Sequence, residues 1–239
     1  MGPWRADTVF FDAAGTLFHT RGSIGEIYGR HAAEFGLPGG KQETVQKQIQ
    51  AAFVSALRER TPFLRDLGSG GKIQEREREW WRGVVSQTFS SVGDFPQIGS
   101  FFDHIYPLFQ TARVWALEPH CREVLEGLRE TGRSLGIISN FDSRLEPLLE
   151  ALGVRAYFDT VVIPSLGSGV KPDREIFLLA LQKAGATDAL HIGDSLEEDY
   201  QGARDAGLNS LLYDPLDRHA ARSEVCRIRS LRETFRFLV

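Results

Sequence analysis

The sequence predicts an α/β fold, a doubly wound parallel sheet with an all-α segment inserted after the first strand. Apolar runs of strand length occur at Val9–Phe11, Leu135–Ile138, Val161–Ile163, Leu190–Ile192 and Ser210–Tyr213. Each of the last four follows a segment with helical periodicity, such as CREVLEGLRE (121–130), SRLEPLLEAL (143–152) and REIFLLALQKA (174–184). Fully apolar strands alternating with amphipathic helices build a parallel sheet covered on both faces. From about residue 18 to about residue 115 the pattern changes to helices alone.

The first strand ends in Asp12, and two alanines lead to Gly15 and Thr16. Gly15 permits a sharp exit that leaves backbone N–H groups free to hold an anion. An acid displayed there reads either as a carboxylate nucleophile or as the cap of a turn. The insert follows as IGEIYGRHAAEFG (24–36), ETVQKQIQAAFVSALRER (43–60), QEREREWWRGVVSQTFSSV (74–92) and GSFFDHIYPLFQ (99–110). Each repeats its apolar residues at roughly 3.6 positions. LGSGGK (67–72) reads as a flexible connection. Trp80 and Trp81 read as packing residues of this bundle.

The strand 135–138 runs into Ser139. With a helix expected over 143–152, the Ser139 hydroxyl and the Asn140 amide lie near a helix N-terminus, which suits either an anion or an N-cap. In GVKPDREIF, Pro172 pushes Lys171 toward extended backbone and Asp173 is placed to cap the next helix. A lysine fixed there neutralises both an attacking carboxylate and a transferring phosphoryl group. In HIGDSLEEDYQGARDAG, Asp194 ends a buried strand, with Glu197, Glu198 and Asp199 close behind. Hard carboxylate oxygens suit Mg²⁺, which takes one or two carboxylates and keeps several waters. Glu197 and Glu198 read as first-turn acids favoured by the helix dipole, and His191 as a core residue. Ligands of parallel sheets bind beyond the carboxyl ends of the strands. Asp12, Ser139, Pro164 and Asp194 all fall there.

Bulk properties narrow the classes. A chain of 239 residues with 42% hydrophobic and 25% charged residues fits one large domain, or a core with a smaller insert. The net charge of −4 gives no basic surface for nucleic acid. Cys121 and Cys226 follow no metal-ligand spacing and are expected as reduced thiols. No run approaches the ~18 apolar residues of a membrane span, and the N-terminal apolar run is too short for a signal peptide. The expectation is a soluble cytoplasmic protein with no membrane or nucleic-acid partner.

In the order Asp, Ser, Lys, Asp–Asp, these elements resemble the four motifs of the haloacid dehalogenase-like hydrolase superfamily. ISNFD, VKPDREIF and HIGDS…DYQGA, with EWWRGVVSQTF in the insert, resemble the "rhythmically expressed" branch of its subfamily IA. The resemblance implies a Rossmann-like core over residues 1–17 and 115–239 and a helical cap over 18–114, with catalysis between them and cap closure excluding water. It implies Asp12 as nucleophile and the Ala14 carbonyl and Asp194 as further Mg²⁺ ligands. Ser139 holds the transferring group with Asn140 in support, Lys171 balances charge, and Asp199 supports the metal waters or Lys171. The implied substrate is a small phosphorylated metabolite.

Ala14 departs from that pattern, because phosphatases of the superfamily carry an aspartate there as general acid and base. Three enzymatic readings absorb the departure: a phosphohydrolase of reduced power, a 2-haloacid dehalogenase whose leaving halide needs no proton, and a phosphonatase using a cap lysine from Lys41, Lys47 or Lys72. A non-catalytic phosphate- and metal-binding homologue is the fourth. His19, at the edge of the insert, is the nearest histidine in sequence to take over proton transfer.

Overall fold

The computed structural model describes residues 3–60, 72–167 and 169–239. Most of the expected LGSGGK connection, Leu67 to Gly71, lies outside the described residues. Two compact units are present, one of Met1–His19, Leu117–Asp142 and Leu152–Val239, the other of Thr20–Ala116 and Ser143–Ala151.

The first unit is built on a parallel sheet. Its strands are β1 (Thr8–Phe11), β4 (Ser134–Ile138), β5 (Thr160–Val162), β6 (Ala189–Gly193), β7 (Asn209–Tyr213) and β8 (Arg227–Ile228), in the order β5-β4-β1-β6-β7-β8. All five strands expected from the sequence are present, because each is an apolar run that only a sheet covered on both faces can bury. β8 was not anticipated; two residues carry no period.

β1 is central and buried along its whole length. Phe11 lies opposite Ile137 on β4 and opposite Ile192 on β6. Asp12, Ser139 and Asp194 therefore leave the sheet at one edge, where the strand order reverses on either side of β1. Helices α5 (Cys121–Glu130) and α7 (Arg174–Ala184) belong to this unit. α5 buries Cys121, Val124, Leu125 and Leu128, the i, i+3, i+4, i+7 stripe of an amphipathic helix. Asp173 occupies the N-cap position of α7 without capping it through its side chain; its carboxylate turns back to accept from the Val170 N–H at 3.5 Å.

The second unit contains α1 (Ile24–Glu34), α2 (Glu43–Arg60), α3 (Ile73–Ser90) and α4 (Ile98–Leu108). Ser23 and Glu26 form a reciprocal capping box that starts α1. The core is aromatic: the Tyr28 ring lies 5.7–6.1 Å from those of Phe53, Phe89, Phe101 and Phe109. Trp80 is buried and donates to the Arg60 carbonyl at 3.1 Å. The Trp81 ring carries the Arg144 guanidinium at 4.7 Å.

Short strands β2 (Phe18–Thr20) and β3 (Trp115–Leu117) pair as a two-stranded ribbon at the two ends of the helical insert. The sequence reading found no strand there, since three residues show no alternation. Helix α6 spans Leu145–Ala151, so the expected helix over 143–152 starts two residues late. Ser143, in the turn before the helix, gives its backbone N–H to Glu77 at 3.1 Å. Cys121 and Cys226 form no disulfide. Among the described residues no helix is long and apolar enough to cross a membrane.

Candidate active site

The chain just past β1 sets the floor of the site. Asp12 keeps the ladder by donating its N–H to the Ile192 carbonyl at 2.8 Å. The turn then closes as Thr16 and Leu17 return to the Ala13 carbonyl. Gly15 sits at φ +103°, and a Cβ there would lie 2.6 Å from an Asp194 carboxylate oxygen. Both conformation and space thus demand glycine. Gly15→Ala is expected to lower stability by about 1–3 kcal/mol, measured by urea unfolding; wild-type stability would show that the turn tolerates a side chain.

Lys171 reaches the same floor from the loop before α7. Its side chain is 1% exposed, so its ammonium has to be paired. Nζ donates to Asp12 Oδ1 at 2.6 Å and to Asp199 Oδ1 at 2.5 Å. Burial by itself would discharge the lysine, and the charges of Asp12 and Asp199 overcome it, so its pKa is raised above the ordinary lysine value. Asp199 is held below the ordinary carboxylate value, because Lys171 and the His191 hydrogen bond outweigh its burial. Asp12 moves the other way, raised by burial and by Asp199 against the pull of Lys171.

Asp194 is exposed as a residue, yet its carboxyl is pushed up to about 7 by desolvation, then by the charges of Asp12 and Asp199. The open side chain makes the like-charge repulsion the firmer of these causes. Thr16 Oγ1 donates to Asp194 Oδ1 at 3.4 Å. Asp12, Asp194 and Asp199 each place one oxygen so that all three lie within 4.8 Å of one another.

Asp199 comes from a helical run that is π-helical over Leu196–Gln201 and continues as α8 (Gly202–Asp205). Its Oδ2 accepts the Ser195 N–H at 3.0 Å. Gly193 leaves room for this: a Cβ there would lie 2.1 Å from Asp199 Cγ.

The Ser139 hydroxyl is buried at the end of β4 and accepts from the Phe141 N–H at 3.3 Å. The helix expected after Ser139 and Asn140 is α6, which begins at Leu145, five residues past Asn140. Asn140 does something else. Its side chain donates to the Lys171 carbonyl at 3.0 Å and accepts the Lys171 N–H at 2.7 Å. That two-point clamp fixes the main chain of the lysine. The same amide also donates to Glu198 Oε2 at 3.1 Å.

Glu198, read from sequence as a dipole-favoured acid, is thus tied to the site, while Glu197 is exposed. His191, read as core, is fully buried, but its Nε2 meets Asp199 Oδ1 at 2.9 Å. A histidine three residues before the strand-end acid was the only sequence signal for it. His19 pairs with Glu118 at 2.6 Å, and Glu118 accepts from the Tyr213 hydroxyl at 2.8 Å. Among the described residues no hydrogen bond joins His19 to Asp12, Asp194 or Lys171.

A family model described as haloacid dehalogenase-like hydrolase matches residues 6–207. The chain belongs to this family. Haloacid dehalogenase-like hydrolase domain-containing protein 3 of Bos taurus is 33% identical over 214 residues, covering 87% of this chain and 82% of the relative. The Rhythmically expressed gene 2 protein of Drosophila melanogaster is 30% identical, covering 85% and 81%, which agrees with the branch read from the motifs. Ribulose-1,5-bisphosphate 5-phosphatase of Halopiger xanaduensis is 30% identical, covering 71% and 70%. Among solved structures, a phosphatase of the superfamily from Thermococcus onnurineus superposes with a TM-score of 0.60 at 22% identity, covering 98% and 95%. A 2-haloacid dehalogenase from Pseudomonas syringae does so at 0.61 and 22%, covering 98% and 96%. At that identity the likeness establishes the haloacid dehalogenase-like fold alone.

Proposed function

We propose that this chain is a Mg²⁺-dependent phosphohydrolase that acts on a small phosphorylated metabolite through a phosphoenzyme on Asp12, with Ala14 in place of the general acid and base. The reading is carried by the buried Lys171 ammonium that bridges Asp12 and Asp199 beside Asp194. The similarity to a bisphosphate phosphatase supports a phosphorylated substrate.

The donor set fits a hard cation. Three carboxylates against one ammonium leave two negative charges uncompensated when all are ionised, and their oxygens lie within 4.8 Å of one another. Asp199 spends Oδ1 on Lys171 and His191 and Oδ2 on Ser195. Asp12 and Asp194 are therefore the carboxylates that would hold the ion, joined by the Ala14 carbonyl that the family resemblance implies. When bound, Mg²⁺ withdraws charge from the phosphoryl oxygens.

Asp12 Oδ1 is taken by Lys171, which leaves Oδ2 to attack phosphorus. The Asp12–phosphorus bond forms as the bond to the leaving oxygen breaks. Ser139 and Lys171 hold the transferring group's other oxygens. With a methyl group at position 14, the leaving oxygen departs as an anion and takes its proton from water. Water then attacks phosphorus, gives up a proton to solvent, and releases phosphate and the free Asp12 carboxylate. No side chain at position 14 activates that water, so the phosphoenzyme accumulates.

A haloacid would bring its carboxylate against this net negative cluster, which disfavours the dehalogenase reading. Lys41, Lys47 and Lys72 are all exposed, whereas a Schiff-base lysine is activated by burial. The deciding experiment is hydrolysis of an aryl phosphate, whose leaving group needs no acid. Turnover should require Mg²⁺, fall to background in Asp12→Asn, and leave acid-stable phosphate on Asp12 of the wild type. Equal rates for wild type and Asp12→Asn would refute the catalytic reading. Calorimetric binding of Mg²⁺ and phosphate without turnover would assign the binding role instead.

A pH dependence follows from Asp194. Its carboxyl is raised to about 7 in the metal-free fold from an ordinary 3.8. Its contribution to stability is therefore fully present below pH ~3.8 and is lost as pH rises through ~7. A cation needs the ionised form, so Mg²⁺ should raise Tm more at pH 8 than at pH 6. Asp194→Asn should remove the difference. A Tm shift independent of pH in the wild type would contradict the assignment.

A further inference from the structure

His191 Nδ1 and Ser210 Oγ are buried polar atoms without a hydrogen-bond partner among the described residues. They belong to paired residues, since His191 on β6 lies opposite Ser210 on β7 in the parallel ladder. Side chains of opposed residues project to the same face of a sheet. Both orphan atoms therefore lie on one face of the sheet, with no hydrogen bond between them.

The other ring nitrogen faces the site. Nε2 meets Asp199 Oδ1 at 2.9 Å, and the same oxygen takes the Lys171 ammonium, which reaches Asp12 at 2.6 Å. Toward an ionised carboxylate, Nε2 must be the donor, and a neutral ring then has Nδ1 as an acceptor. Without His191, Asp199 Oδ2 would keep the Ser195 N–H but Oδ1 would have Lys171 as its one remaining partner. The carboxylate and the lysine would then be free to pivot together.

We propose that His191 is a positioning residue: as the Nε2–H tautomer it locks Asp199 and, through it, the Lys171 ammonium that orients Asp12. The proposal rests on the reading of Asp12 as nucleophile for its effect on turnover, and on geometry alone for its effect on Lys171.

The test compares His191→Phe with His191→Gln. Phenylalanine keeps the ring and its edge-on contact with Phe177, 5.4 Å between centroids, but has no donor. Glutamine gives up the ring but offers an amide N–H. His191→Phe is expected to be at least as thermally stable as His191→Gln. Yet its kcat on an aryl phosphate with Mg²⁺ should fall about 10–100-fold, the range typical of residues behind a metal site, with KM within about twofold. His191→Gln should recover part of that loss.

A second readout does not depend on turnover. In the metal-free protein the buried Lys171 ammonium should give a resolved ¹H–¹⁵N correlation, broadened in His191→Phe and restored in His191→Gln. Long-range ¹H–¹⁵N correlations of the His191 ring should report Nε2–H. Activity that follows stability, with the Lys171 signal unchanged in His191→Phe, would overturn the proposal, as would an Nδ1–H tautomer. If Asp12→Asn retains full activity, the nucleophile reading fails, while the Lys171 signal still decides the positioning role.

Discussion

Ala14→Asp is expected to raise turnover of an alkyl phosphate by about 10²–10⁴-fold, the usual worth of a positioned general acid and base. The physical basis is the leaving group. An alkoxide is a poor leaving group unless it is protonated as it departs, whereas a phenolate needs little help. The same substitution should therefore change aryl phosphate hydrolysis much less in its first step. It should also abolish accumulation of the phosphoenzyme, since the new carboxylate activates water for the second. Position 14 is half-buried rather than sealed, so a carboxylate there is open to water. Rates on a matched pair of alkyl and aryl phosphates measure the effect. An unchanged alkyl rate would mean that the missing carboxylate is not the limiting defect.

Lys171→Met is expected to lower stability by about 3–5 kcal/mol, the cost of stranding a buried charge by removing its partner. It should also abolish aryl phosphate turnover. Lys171 bridges Asp12 and Asp199, both buried, so its loss leaves two carboxylates facing one another without a cation. Acid relieves that repulsion by protonating one of them, so the variant's deficit should shrink as pH falls. Urea unfolding at neutral and acid pH tests both statements. A variant as stable as wild type at neutral pH would show that Lys171 is not the counter-ion of this cluster.

The fold was legible because its signals are local. Val9–Phe11 and Leu135–Ile138 are apolar on both faces, and Leu190–Ile192 is buried on both, which only a covered parallel sheet accommodates. The acids and the serine that follow such runs mark the edge where ligands bind. Where the reading erred, the competing contact was distant in sequence. The helix expected over 143–152 starts only at Leu145, and the Ser143 N–H is bonded to Glu77, 66 residues earlier. β2, β3 and β8 went unseen because strands of two or three residues have no period to read.

The sequence by itself determined the element types, the residues that end the buried strands, the absence of an acid at position 14 and, through ordered motifs, the family. Tertiary structure alone decided how those residues are wired. Asp12 and Lys171 lie 159 positions apart, and only the strand order β5-β4-β1 brings them to one edge. The Asn140 clamp on the Lys171 main chain and the Asn140–Glu198 contact are equally products of the sheet's order, whereas the His191–Asp199 bond joins β6 to the helical run that follows it. The reason is physical: residue type and spacing set what a segment can form, while hydrogen bonds and ion pairs depend on which segments the folded sheet places side by side.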